Sequence, residues 1–417
     1  MRIIRLILVV LALTGSPVWA HLTPNSEINL EFGRDRIEAT LIIPLGELQF
    51  AEPRFGDLRA GPLNAGQRQR LRLYLDTHLA AAAPDDRRWR MTLNTADIAH
   101  EPLDLEAHIS LRPPAGAPVR RLRFRYDAVI DRVPNHIALV SVKSDFDSGH
   151  LDDRPALLAG LRQGDFVTTI DRGSGSAWTG FVAAIGLGIH HIAVGHDHLL
   201  FLIALLLPAP LLLVGGRWGG YAGWRGTFHS LALIITAFTI GHSITLIGGA
   251  FFGWQLHAQP VEIMIAVSIL ISAIHAWRPL FAGREPLVAG GFGLVHGLAF
   301  ATIIGRIGLD PLQKAQSILG FNLGIELVQL LVVAMMMPGL ALLAQSPTYR
   351  LIRPAAAGIA GTAAILWIIE RASGHDFAPA RMVDAALGYA PWLFALGFIT
   401  AGFTLLRRQV SSASRTS

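Results

Sequence analysis

Two hydrophobic periodicities divide the chain. Between about His21 and Asp171, apolar and polar residues alternate in short runs: Glu27–Phe32, Glu38–Ile43, Trp89–Leu93, Glu106–Leu111, Arg121–Tyr126 and Ala138–Ser141. A period of two puts every second side chain on one face of an extended chain, so these runs predict strands half-buried in a sheet. One stretch, about 65–83, changes to a helical period and sets Leu71, Leu75, His78 and Leu79 on one side. The expectation is a β-rich globular domain with an inserted helix, an α+β arrangement being the alternative. Asp171-Arg-Gly-Ser-Gly-Ser176 reads as the linker that closes it.

From Trp178 onward the alternation gives way to long apolar runs. Crossing about 30 Å of hydrocarbon takes about 20 apolar residues. Spans are expected at about 192–214, 227–249, 259–277, 287–305, 316–344, 354–371 and 386–406, the fifth long enough to tilt or break near Pro338. Trp178–Gly188 precedes them as an interfacial or re-entrant helix, its tryptophan at headgroup level. At the start, Arg2 and Arg5, the apolar Leu6–Leu13 and Val18-Trp19-Ala20 form the three parts of a secretory signal. The expected organisation is therefore a signal peptide (1–20), an exported β-rich domain (21–171), a linker and interfacial helix (172–191), an α-helical multi-pass membrane bundle of about seven transmembrane helices (192–406) and a tail (407–417).

Composition narrows the chemistry. The 417 residues are 52% hydrophobic and 16% charged with no cysteine, which excludes disulfides, thiolate metal sites and cysteine nucleophiles. The net charge of +5 comes without a basic stripe carrying interleaved aromatics, so nucleic acid is not an expected partner. The arginines instead sit between spans: Arg217 and Arg225, Arg278 and Arg284, Arg350 and Arg353, and Arg407, Arg408 and Arg415 at the end. By the positive-inside rule those segments face the cytoplasm of a bacterial inner membrane, with the N-terminal domain periplasmic.

Against that apolar background the ionisable residues stand out, because each costs about 2.5–3.5 kcal/mol at mid-membrane. His190, His191, His196 and His198 crowd with Asp197 into nine positions. His191 and His198 share a face of a continuous helix, and Gly195 permits a break that would free carbonyls for a cation. In span two, Thr239, His242 and Ser243 share a stripe. Span three opens with Glu262, and span four carries His296 near its middle. Span five aligns Asn322, Glu326 and Gln329 at i, i+4 and i+7, with Glu326 deep enough to require pairing, protonation or a bound cation. Imidazole with carboxylate suits nickel, cobalt or zinc. Met335, Met336 and Met337 diverge around the helix axis and cannot grip one copper ion together. In the exported domain, the segment from Asp145 to Asp153 reads as a solvated turn, with metal capture before transport the alternative.

Several of these segments resemble the HupE/UreJ family of nickel-permease-like proteins, in its branch with an exported N-terminal domain. They are His191-x5-Asp197-His198-Leu-Leu-Phe-Leu, Phe-Thr-x-Gly-His242-Ser-x-Thr-Leu, Val-Glu262 with Ile-Ala-x-Ser, His296-Gly-Leu-Ala-Phe and Phe-Asn322-x-Gly-x-Glu326-x-x-Gln329. The resemblance covers about residues 178–330 and implies a multi-pass inner-membrane protein for uptake of nickel or cobalt. It also implies a possible periplasmic or metalloenzyme-maturation partner. The expected function is a permease for a divalent transition metal, with no permanently bound cofactor. His191, Asp197, His198, His242, His296 and Glu326 would form its site, with Glu262, Asn322 and Gln329 in support. A membrane metalloenzyme, a metal-linked accessory or sensor protein and bis-histidine haem ligation remain the alternatives.

Overall fold

The computed structural model describes residues 25–151, 154–254, 256–306 and 309–388, with side chains of the fourth long helix described to Phe300. The expected signal peptide, most of the span at 386–406 and the tail lie outside the described residues. The chain folds as two units. One is residues up to Lys143 with Arg154–Gly173; the other is Ser144–Asp153 with the chain from Ser174 onward.

The first unit is β-rich. Its strands are β1 (Ser26–Phe32), β2 (Ile37–Pro44), β3 (Gly61–Pro62), β4 (Leu79–Ala82), β5 (Arg90–Ile98), β6 (Asp104–Arg112), β7 (Arg121–Tyr126), β8 (Ala138–Asp145), β9 (Ala156–Leu161) and β10 (Val167–Asp171). Helices α1 (Leu45–Ala51) and α2 (Ala65–His78) are interposed. Seven strands form one sheet in the order β3-β5-β6-β2-β1-β8-β9, and β10-β7-β4 form a second. Alternation decides the register: Ile37, Ala39, Leu41 and Ile43 of β2 and Leu122, Phe124 and Tyr126 of β7 point into the core, their neighbours outward. Asn64 and Gln67 start α2 with a reciprocal capping box. The helix expected to run to residue 83 stops at His78, because Leu79–Ala82 extends and pairs antiparallel with β7, Leu79 opposite Tyr126. Leucine and alanine carry too little periodicity to mark that switch; the ladder hydrogen bonds of β7 decide it.

The second unit is helical. It comprises α3 (Ala177–Val194), α4 (His196–Leu206), α5 (Trp224–Phe252), α6 (Ala258–Trp277), α7 (Glu285–Arg306), α8 (Pro311–Ala344), α9 (Tyr349–Ser373) and α10 (Ala378–Leu387). Among the described residues five helices are long and apolar enough to cross a bilayer: α3, α5, α6, α8 and α9. Rows of large apolar side chains face outward, Leu233, Ile240, Ile244 and Ile247 on α5 and Leu319, Leu323, Leu327 and Leu330 on α8, while polar side chains are buried between helices. That inverted distribution suits hydrocarbon as solvent.

The expected span at 192–214 is not one helix. The segment read as interfacial continues as α3 to Val194, the chain breaks at Gly195, α4 covers eleven residues, and β11 (Leu211–Val214) and β12 (Arg217–Tyr221) form a hairpin. Gly215 and Gly216 at its turn have φ of 58° and 73°, the two positive angles of a tight hairpin.

Two helix pairs approach backbone to backbone. A Cβ on Gly188 of α3 would lie 2.1 Å from the Phe321 carbonyl oxygen of α8, and one on Gly293 of α7 would lie 2.1 Å from that of Phe238 on α5. Only glycine permits such proximity. The segment from Asp145, read as a solvated turn, is instead packed: Phe146 is fully buried against Gly180 and Ala184 of α3. Asp145 accepts a hydrogen bond from the Ser148 N–H, 3.2 Å, to hold the turn.

Candidate functional site

The break at Gly195 delivers His198 to the first turn of α4, beside His191 from the last turn of α3. Their rings meet edge to face with centroids 4.7 Å apart. His198 in turn meets His296 of α7 edge to face at 4.9 Å. His191 is wedged against Phe300 of α7 and Phe321 of α8, at 4.8 and 5.3 Å. His242 of α5 stacks at 6.1 Å on Phe321, the ring that also walls His191. Four helices thus bring one imidazole each to a centre that α8 helps to wall with Phe321. His198, His242 and His296 are 8%, 0% and 1% exposed, so each needs its polar atoms satisfied.

Each of these three rings has one nitrogen held and one left over. His198 Nδ1 stands 3.1 Å from Asp197 Oδ1, and a carboxylate accepts, so Nδ1 carries the proton. His242 Nδ1 stands 3.3 Å from Asn322 Oδ1. The Asn322 amide nitrogen donates to the Ile318 carbonyl, 2.9 Å, which fixes Oδ1 as the acceptor and puts the proton on His242 Nδ1. His296 Nε2 stands 2.9 Å from Ser268 Oγ, whose single proton goes to the Ile265 carbonyl at 2.7 Å; His296 Nε2 therefore donates. These tautomers follow from the hydrogen-bond network. They leave His198 Nε2, His242 Nε2 and His296 Nδ1 with lone pairs, buried and without a partner among the described residues. An imidazole whose far N–H is tied to a carboxylate, amide or hydroxyl is oriented and made more basic, the arrangement of metal-ligating histidines.

As the side chains stand, no three histidine, aspartate or glutamate groups among the described residues converge on one metal position. Ligation at about 2.0–2.1 Å requires lone pairs aimed at a common point, whereas these rings stand edge to face. The donor set fits a borderline divalent ion in type; rotation of the imidazoles is needed to close on one.

The other expected residues fall into place differently. Asp197 acts on His198 through one oxygen, while Oδ2 faces Arg371 of α9 at 3.4 Å. Arg371 also donates to the Glu262 carbonyl oxygen, 3.0 Å, approaches the Glu262 carboxylate at 3.9 Å, and lies over the Trp367 ring at 5.7 Å. Glu262 is exposed and, among the described residues, is linked to the centre through Arg371. Asn322 belongs to the centre. Glu326, one turn further along α8, is half-buried and makes no hydrogen bond or ion pair among the described residues. Gln329 is buried with its Oε1 unpartnered among the described residues. Sequence reasoning missed Ser268 and Arg371. Ser268 was visible within Ile-Ala-x-Ser but carried no charge to draw notice, and Arg371, at the end of an expected span, was not singled out. Its position on the side opposite the basic loops was the available signal.

Fold and site together define a multi-pass helical membrane protein with a buried centre of oriented histidines, preceded by a β-rich unit. The model of the family described as HupE / UreJ protein matches residues 168–371, so the helical unit up to the end of α9 is similar to that family. No curated protein and no solved structure gives a match.

Proposed function

We propose that this protein is a permease that carries a divalent transition metal, nickel foremost and cobalt or zinc next, across the bacterial inner membrane. The observation that carries this reading is the set of three buried lone pairs, on His198, His242 and His296, each backed by its own hydrogen-bond acceptor. His191, half-buried against His198, is the fourth donor. Asp197 supplies negative charge beside the centre and orients His198; Asn322 and Ser268 orient the other two rings. The similarity of residues 168–371 to the HupE / UreJ family supports the transport class over an enzyme.

Orientation follows from charge. Trp218 Nε1 donates to the His275 carbonyl and Arg353 to those of Ala276 and Trp277, so the hairpin, the end of α6 and the start of α9 share one end of the bundle. Arg217, Arg278, Arg350 and Arg353 lie in these segments, which we assign to the cytoplasm. Asp197 and Glu262, joined through Arg371, mark the opposite end, which we assign to the periplasm, as we do the β-rich unit. A divalent ion entering there is drawn inward by about 4.6 kcal/mol at roughly 100 mV.

The test is uptake of radioactive nickel into proteoliposomes of the purified protein, with cobalt, zinc and copper as competitors and His198→Ala and His296→Ala as variants. Saturable uptake abolished in both variants is expected. Stoichiometric metal without flux would replace the permease with an enzyme or accessory role, and neither binding nor flux would end the metal reading.

A further inference from the structure

At the arginine-rich end of the bundle, the hairpin β11–β12 and the turn between α8 and α9 enclose a cavity of about 580 Å³. Its polar walls come from Tyr221, Gln345, Ser346, Arg350 and Arg353, and no carboxylate is among the lining residues. The Arg350 side chain makes no hydrogen bond or ion pair among the described residues. Arg353 uses Nη1 on the α6 carbonyls of Ala276 and Trp277, which fixes its guanidinium at the wall. The Tyr221 hydroxyl is buried and unpartnered among the described residues, an O–H donor in need of an acceptor. Two guanidinium groups and an unsatisfied phenol, with no opposing negative charge, make a site for an anion with several acceptor oxygens.

Position narrows the anion further. The cavity opens where two bilayer-length helices end, α8 at Ala344 and α9 at Tyr349. Trp218 stands at its wall and Leu211 and Ala344 give it an apolar side, the combination found where headgroups meet hydrocarbon. A choline or ethanolamine ammonium would find no carboxylate to receive it, whereas a phosphate without a fixed cation is matched.

We propose that this cavity binds a phosphate monoanion or diester, supplied by the headgroup of an anionic phospholipid such as phosphatidylglycerol. Bound there, the headgroup ties the hairpin to the α8–α9 turn. The site is separate from the histidine centre and does not depend on what that centre carries.

The experiment is native mass spectrometry of the delipidated full-length protein, titrated with phosphatidylglycerol, phosphatidylcholine and inorganic phosphate. Arg350→Gln and Tyr221→Phe are the variants, the first exposed and the second isosteric, with thermal unfolding in detergent as the check on folding. Phosphatidylglycerol is expected to bind at least ten-fold tighter than phosphatidylcholine. Arg350→Gln should remove that preference and Tyr221→Phe should weaken phosphatidylglycerol several-fold. Equal binding of the two lipids, or an Arg350→Gln protein that retains the preference, overturns the proposal. Inorganic phosphate binding in an Arg350-dependent manner while phosphatidylglycerol does not overturns the lipid source and keeps the phosphate site.

Discussion

Arg371 Nη2 stands 3.4 Å from Asp197 Oδ2, at the mouth of the histidine centre. The Asp197 carboxylate therefore faces two ways, one oxygen orienting His198 and the other answering a guanidinium held over Trp367. A charge in this setting is tolerable only when paired. Arg371 thus occupies the place a substrate cation would take beside Asp197. In the proposed permease the guanidinium competes with the metal for the carboxylate.

Arg371→Gln should accordingly lower the apparent KM for nickel several-fold, while Asp197→Asn should cut uptake by more than ten-fold. In the Asp197→Asn background the arginine substitution should have no further effect on KM. A rise in KM for Arg371→Gln alone would show that the guanidinium assists entry rather than competing with it.

Ser268 and Asn322 are expected to act through the rings they hold. Ser268→Ala frees His296 Nε2, and Asn322→Leu frees His242 Nδ1; each should weaken metal binding by about 10- to 100-fold. Equilibrium dialysis on folded variants measures this. Unchanged affinity in both would mean that ring orientation does not matter to binding.

The α5–α7 contact can be tested by two neighbouring glycines. A Cβ at Gly293 meets the Phe238 carbonyl oxygen at 2.1 Å, whereas one at Gly291 meets nothing within 4 Å. Gly293→Ala should destabilise the protein by about 1–3 kcal/mol or more through forced separation of the helices, and Gly291→Ala should leave it unchanged. Thermal unfolding in detergent discriminates, and equal behaviour of the two would refute the close contact.

Phe146→Ala should cost about 3–5 kcal/mol, because the ring is fully buried against α3. Phe50, 73% exposed, provides the control for a phenylalanine truncation in the β-rich unit. Loss of stability in the control alone would contradict the assignment of residue 146 to the helical unit.

Much of the fold was legible in the linear pattern. The run Arg121–Tyr126 reappears unchanged as β7, and the strands around Ile28, Leu41 and Ile109 differ from expectation only at their ends. Alternation is a local property, and one buried face enforces it residue by residue. What the pattern could not show were features set by partners distant in sequence. Leu79–Ala82 became a strand because β7 was there to pair with it. Phe146 became core because Gly180 left room for it.

The same division holds at the centre. Sequence alone determined which residues were too polar for their surroundings, because the cost of an imidazole or carboxylate among apolar side chains is carried by the residue type itself. His191, His198, His242, His296 and Asn322 are conspicuous on that ground. Tertiary structure alone decided which of them meet, which nitrogen of each ring is free, and which unremarked residues, Ser268 and Arg371, complete the arrangement. Hydrogen-bond partners here are separated by up to 174 positions along the chain. A distance of 3 Å between such residues exists only once the helices have packed.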